Sequence, residues 1–300
     1  MSERDPEAGR GDSDAGAGGR GPTEGTGERD AVSGTGARAR DSGAGGALVA
    51  VALPELPEIQ PGDDLGKLAA EAWWKLTVDD AKLAPQPRDV LVVTQKVVSK
   101  AEGRIVRLAD VEPGAEAVAF AEAWDKDARQ VEVVLRESAE ILRMERGVII
   151  SRTSHGFVCA NAGVDASNVG AEDVVTLLPE NPDRSAAVLR RRIHDELGVL
   201  VNVIVSDSFG RPWRWGITDV ALGVSGFRPL EDMRGSPDTE GRTMRATVVA
   251  VADELASTAE LASGKTSRRP LVLIRGARLP EGIGTVADDV IMPLEDDLFR

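Results

Sequence analysis

The 300-residue chain contains no tyrosine, one cysteine, two histidines and only 3% aromatic residues. Each scarcity removes a class of chemistry or construction. The lone Cys159 cannot form an intrachain disulfide, which fits a reducing compartment. His155 and His194 do not make an H-x-x-x-H pair, so a zinc hydrolase is not expected. No apolar run approaches the roughly 20 residues of a membrane-spanning helix, and the N-terminus lacks the apolar core of a secretory signal. These absences give a cytoplasmic reading with no membrane partner. Basic charge is also short: 36 Lys and Arg against 50 Asp and Glu leave a net −14. Such a field repels a nucleic-acid backbone, so no nucleic-acid role is expected. Phosphate can still be held by concentrating Arg and Lys locally or by recruiting a divalent cation.

What is present divides the chain in two. Residues 1–46 carry 13 of the 32 glycines, 9 acidic and 6 basic residues, and little larger than alanine. They cannot bury enough apolar surface to offset their ordering entropy, and they read as a disordered tail. From 47 onward, 42% overall hydrophobic content with few aromatics points to a core of Val, Leu, Ile and Ala. Strands are expected at Ala47–Ala52, Asp89–Thr94, Val148–Arg152, Gly156–Asn161, Leu200–Ser206, Val220–Gly226 and Leu271–Arg275. Helices are expected from an Asp63 cap to about Leu76, near 113–127 and 129–142, over 183–197 with Gly198 as the stop, and over Thr247–Ala262. Short strands alternate irregularly with helices. The fold class is therefore α+β, with mixed, mainly antiparallel sheets and packed helices.

Five segments carry candidate chemistry. In Val203-Ile-Val-Ser-Asp-Ser-Phe-Gly-Arg-Pro-Trp-Arg214 an apolar strand ends on Asp207 and Ser208. A carboxylate held rigidly at a strand end, beside a hydroxyl, offers hard oxygen ligands to Mg²⁺ or Mn²⁺. Gly210 is expected to turn the chain and aim Arg211 and Arg214 at phosphate oxygens. The same residues also suit a capped turn with solvated arginines. In Ala160-Asn-Ala-Gly-Val-Asp-Ala-Ser-Asn168 the spacing of Asp165 and Asn168 lets one turn present both to one ligand, or lets each bond its own backbone. In Val92-Val-Thr-Gln-Lys-Val-Val-Ser-Lys100 a strand leads into Lys96 and Lys100, which share a helix face and could meet a polyphosphate or simply solvent. Leu56-Pro-Glu-Ile-Gln-Pro-Gly-Asp-Asp64 is a proline-bounded loop entering a helix N-terminus. Ser263-Gly-Lys-Thr266 lacks the first glycine of a Walker A loop and follows a helix, so it serves at most as a helix-end phosphate contact. Asp253 and Glu254 are further ligand candidates. Cys159 reads as a small core residue rather than a nucleophile.

Taken in order, LPEIQPGDD, TQKVVSK, LRES-EILR, HGFVCANAGVD-SN, SDSFGRPWR-G–D and ADELAS–ELASGK resemble the coenzyme F420-0:L-glutamate ligase family, from about residue 50 to about 276. The resemblance implies an unusual α+β fold, a homodimer, and a ligase that joins L-glutamate to F420-0 using GTP, Mg²⁺ or Mn²⁺ at two sites, and K⁺. It implies nucleotide contacts from Leu56, Pro57, Glu58, Ile59, Gln95, Lys96, Lys100, Asn168, Gly264 and Lys265. It implies that Asp165 and Asp207 hold one metal and Ser208 a second. Some relatives carry glutamine at the second metal where Lys265 stands here, and a charged lysine cannot do the same. The domain assignment is then 47–280 for the ligase domain. Residues 281–300 are a C-terminal tail or the start of a linker to a flavin-reductase-like domain. The competing functions are a metal-dependent nucleotide hydrolase and a non-catalytic deazaflavin-binding module.

Overall fold

The computed structural model describes residues 46–166 and 173–298. The expected tail, apart from Gly46, and the Asn168 contact lie outside the described residues. In chain order the elements are β1 (Val49–Ala52), α1 (Leu65–Asp79), β2 (Val90–Thr94), α2 (Gln95–Ala101), β3 (Ile105–Arg107), α3 (Ala115–Trp124), α4 (Ala128–Glu137), β4 (Ser138–Glu145), β5 (Val148–Thr153) and β6 (Val158–Ala160). Then follow β7 (Val174–Thr176), α5 (Pro182–Leu197), β8 (Asn202–Arg211), β9 (Arg214–Ser225), β10 (Glu231–Asp232), β11 (Val248–Val249), α6 (Val251–Ser263), β12 (Leu271–Arg275) and α7 (Val286–Asp289). Short 3₁₀ turns join several of them.

A five-stranded sheet, ordered β1-β12-β2-β8-β9, forms the centre. All its pairings are antiparallel except β2 with β8. Strands of this sheet are apolar at successive positions because both faces are covered. Val90, Val92, Ile204, Leu222, Val272 and Ile274 face α6, where Val251, Ala252 and Leu255 meet them. The alternate residues Leu91, Val93, Val203, Val205, Leu271 and Leu273 face α1 and α5 through Ala69, Trp73, Leu189 and Ile193. The two-residue period of a strand thus splits one apolar run between two cores. A third core lies apart, where α3 and α4 pack with Ile149, Ala162, Val164 and Val175. The architecture is a mixture of α and β with mostly antiparallel pairing. No helix among the described residues is long and apolar enough to cross a membrane.

Local structure departs from expectation at several places. The helix expected over Thr247–Ala262 begins only at Val251, because Val248 and Val249 pair with β10 as β11. Asp64, not Asp63, caps α1 by accepting from Lys67 N at 3.0 Å. Asp63 instead accepts from Gln60 N at 2.7 Å and closes the Pro61-Gly62 turn. The helix expected over 129–142 ends at Glu137, and residues 138–145 form β4 against β5. There the ladder partners of the hairpin outweigh the helix propensity of Glu, Leu, Arg and Met. Gly210 makes no turn. β8 runs through it to Arg211, and the turn falls at Pro212-Trp213, with Trp213 at φ 57°. In the segment read as a tail, α7 buries Val286 in the first core. Its N-terminus is tied to α5, because Asp183 accepts from Val286 N at 2.9 Å.

Candidate functional site

The one parallel pairing positions the site. Its register sets Thr94 beside Ser206, so β2 and β8 finish the buried part of their course side by side. The segment that follows β2 begins α2 with Gln95 and Lys96, and β8 continues directly into Asp207 and Ser208. Two motifs more than a hundred residues apart therefore open on the same edge of the core, the usual location of ligand sites in sheets with parallel strands. β9 returns beside β8 and sets Asp219 opposite Ser208. Asp165 arrives from a separate segment through backbone hydrogen bonds with Thr176 at 2.9 and 3.0 Å.

These elements surround a cavity of about 780 Å³. Leu56, Pro57, Glu58 and Ile59 form one wall, Gln95, Lys96 and Lys100 another, and Asp165, Asp207 and Ser208 a third. Gly264 and Lys265 complete the rim from the end of α6. Each of these residues was a candidate from the sequence. Arg211 and Arg214 were also candidates, but they pair with each other at the exposed tip of the β8–β9 hairpin and do not line the cavity. The cause is the continued strand at Gly210, which carries both arginines outward. Asp253 does not line it either: it accepts from Ala221 N at 2.9 Å and fastens α6 to β9. Glu254 is exposed.

The structure adds residues that sequence reasoning left unassigned: Ser206, Asp219, Glu260, Arg268 and Arg269. Asp219 ends the quoted SDSFGRPWR-G–D pattern, but only hairpin pairing reveals that it faces Ser208. Arg268 and Arg269 follow Ser263-Gly-Lys-Thr266 as a basic run, a signal present in the sequence itself.

Charge is finely divided within the cavity. Lys96 Nζ lies 2.7 Å from Asp165 Oδ2. Lys100, 6% exposed, reaches Glu58 at 2.5 Å and ties the 56–59 loop to α2. Gln95 turns inward, donating to Ser99 Oγ at 2.6 Å and Leu177 O at 2.9 Å, so its side chain braces α2 while its residue borders the cavity. Asp219 is 5% exposed and accepts from Ser208 Oγ at 2.5 Å and Ser206 Oγ at 3.3 Å. Lys265 Nζ donates to Ser208 Oγ and lies 3.4 Å from Asp219 and 3.3 Å from Glu260. Burial pushes the Asp207 carboxyl up to about 7, and the charges of Asp219 and Asp165 add to that, against the lowering pull of Ser208 N–H and Lys265. Cys159 is buried, and burial together with the Asp207 charge pushes its thiol up to about 12. It is therefore inert as a nucleophile at neutral pH. His155 stacks on Phe157 with centroids 5.7 Å apart, and its Nε2 lies 2.9 Å from Pro179 O, a packing role.

Two hard-oxygen donors for one cation line the cavity, and among the described residues no group of three acidic, His or Cys side chains gathers to hold one. Asp165 and Asp207 are carboxylates on one cavity, and Asp207 resists ionisation first because it is buried and then because Asp219 and Asp165 lie near it. A divalent cation supplies the opposing positive charge. Ser208 is different. Its hydroxyl donates to Asp219 and accepts from Lys265, so a second divalent ion on it would stand against the repulsion of an ammonium.

The family model for F420-0:gamma-glutamyl ligase matches residues 54–276. Proteins named coenzyme F420:L-glutamate ligase align along most of their length. That of Methanocaldococcus jannaschii is 43% identical over 213 residues, 71% of this chain and 84% of the relative. That of Methanopyrus kandleri is 44% identical over 237 residues, 78% of this chain and 90% of the relative. That of Methanothermobacter thermautotrophicus is 39% identical over 256 residues, 83% of this chain and 98% of the relative.

Proposed function

This chain belongs to the F420-0:gamma-glutamyl ligase family, and on that premise we propose that it joins L-glutamate to a carboxylate of coenzyme F420-0, driven by GTP and Mg²⁺ or Mn²⁺. The observation that carries the reading is a single cavity lined by both kinds of charge. Lys96, Lys100, Lys265, Arg268 and Arg269 suit phosphate oxygens, while Asp165 and Asp207 suit a divalent ion. Its volume of about 780 Å³ is of the size that takes a nucleotide-sized ligand.

Asp165 and Asp207 would hold the ion, which when bound neutralises charge on the terminal phosphates. Lys96 and the arginines bind and orient the γ-phosphoryl group as it passes to the substrate carboxylate, giving an acyl phosphate and GDP. The glutamate amine then attacks the acyl carbon, the C–N bond forms, and inorganic phosphate leaves. No protein nucleophile takes part, in keeping with the inert Cys159. The loop at 56–59, braced by Lys100, offers backbone and apolar contacts to the nucleotide. A K⁺ ion, a homodimer and a cytoplasmic setting belong to the same reading and rest on family likeness together with the composition.

One incubation with F420-0, L-glutamate, GTP and Mn²⁺, read by mass spectrometry, tests this. The expected product is heavier by one or more glutamyl units, and none forms without nucleotide. Phosphate release that ignores both glutamate and F420-0 would replace the ligase reading by a hydrolase.

A further inference from the structure

We propose that Lys265 stands in place of a second divalent ion, so that this centre works with one metal ion and one lysine ammonium. The inference rests on the nucleotide-and-metal reading above and narrows it.

Three observations lead to it. The Ser208 hydroxyl gives its proton to Asp219 Oδ1 at 2.5 Å and receives a hydrogen bond from Lys265 Nζ. One of the two lone pairs of Ser208 thus points at an ammonium, and any cation on the other would stand beside that positive charge. Asp219, buried opposite Ser208 on the paired strand, has Lys265 at 3.4 Å as its ion-pair partner. Glu260, one helical turn before the end of α6, supplies a further carboxylate 3.3 Å from the same nitrogen.

Serine, two carboxylates and a cavity edge are a set of hard oxygens that would suit Mg²⁺ or Mn²⁺ if the centre were vacant. An ammonium has three donors and no lone pair, so it cannot join a coordination sphere, and its charge repels a cation placed beside it. It can do what that cation would do for a polyphosphate, which is to place positive charge and hydrogen-bond donors against terminal oxygens. Lys265 is well placed for this. Its side chain is half exposed, lines the cavity, and follows Gly264, whose φ of 67° ends α6 and sets the direction of the next residue. Lys96 and Lys100 are engaged elsewhere in the cavity, with Asp165 and Glu58.

The distinguishing measurement is the number of Mn²⁺ ions per chain, counted by native mass spectrometry on the protein with a non-hydrolysable GTP analogue. The wild-type complex is expected to hold one. Lys265→Gln, which supplies a carbonyl oxygen and frees Ser208, is expected to hold two. Ser208→Ala in the otherwise unchanged chain is expected to keep one, because Ser208 ligates no ion there. Two ions in the wild type, or one in Lys265→Gln when its melting curve shows a folded protein, overturns the proposal. So does loss of the ion in Ser208→Ala. Nucleotide complexes without any Mn²⁺ would instead remove the metal from the preceding reading, and this inference with it.

Discussion

Lys96 Nζ and Asp165 Oδ2 lie 2.7 Å apart and join the start of α2 to a turn nearly seventy residues further along the chain. On the proposed function the pair joins a donor for phosphate to a carboxylate for a cation, and entry of a metal–nucleotide complex would separate them. Each would then find a partner of higher charge. The geometry is that of a preformed site whose charges hold one another in readiness.

Replacing Lys96 by Met removes the phosphate donor and leaves Asp165 without it. The expected effect is a fall of about 10²- to 10³-fold in kcat/KM for GTP, the scale of losing one preorganised electrostatic contact to a transferring group. Steady-state kinetics with varied GTP checks this. A change below threefold would place Lys96 outside the reaction.

Asp207 should show opposite effects on activity and stability. Its carboxyl is raised from the ordinary 3.8 to about 7, first by burial and then by the neighbouring carboxylates. The folded state therefore holds this proton more tightly than the unfolded state does. In chelator, stability from this group falls as pH rises from about 4 to about 7 and stays low above it. Asp207→Asn cancels that loss. At pH 8 without divalent ions it is expected to be more stable than the wild type by about 1–3 kcal/mol in urea unfolding, with no gain at pH 4. Ligation should meanwhile fall by at least about 10³-fold, since a carboxamide is a poor substitute for the anionic ligand. A destabilised variant at pH 8 would contradict the assigned electrostatics.

Arg275 and Asp89 test the frame rather than the site. The guanidinium meets Asp89, 2% exposed, at 2.8 and 2.6 Å, and also donates to Ala84 O at 2.6 Å. Arg275→Ala leaves the carboxylate buried without its cation. A loss of about 3–5 kcal/mol is expected, measurable by urea unfolding at pH 7. A loss under about 1 kcal/mol would mean that water reaches Asp89.

Most elements were legible because each is encoded locally. The apolar runs at 90–94 and 202–206, the Gly198 stop after α5 and the amphipathic spacing of α6 each report their own neighbourhood. The 129–142 segment misled for the same reason. Its residues favour a helix in isolation, and only pairing with β5 makes residues 138–145 a strand. Gly210 was read as a turn because glycine permits one, but nothing local reveals that the β8–β9 ladder continues past it. That single difference carried Arg211 and Arg214 out of the cavity.

The sequence by itself determined the residue types of the centre: carboxylates after apolar strands, lysines after another, a glycine at the end of α6. Those choices follow from short-range rules of propensity and ligand chemistry. Tertiary structure alone decided which of these residues meet. Parallel pairing of β2 with β8 set Lys96 and Asp207 on one rim, and antiparallel pairing of β8 with β9 gave Ser208 its partner in Asp219. It also placed the Lys265 ammonium between them and Glu260. Contacts between segments dozens of residues apart depend on sheet register and core packing, and no window of sequence contains those.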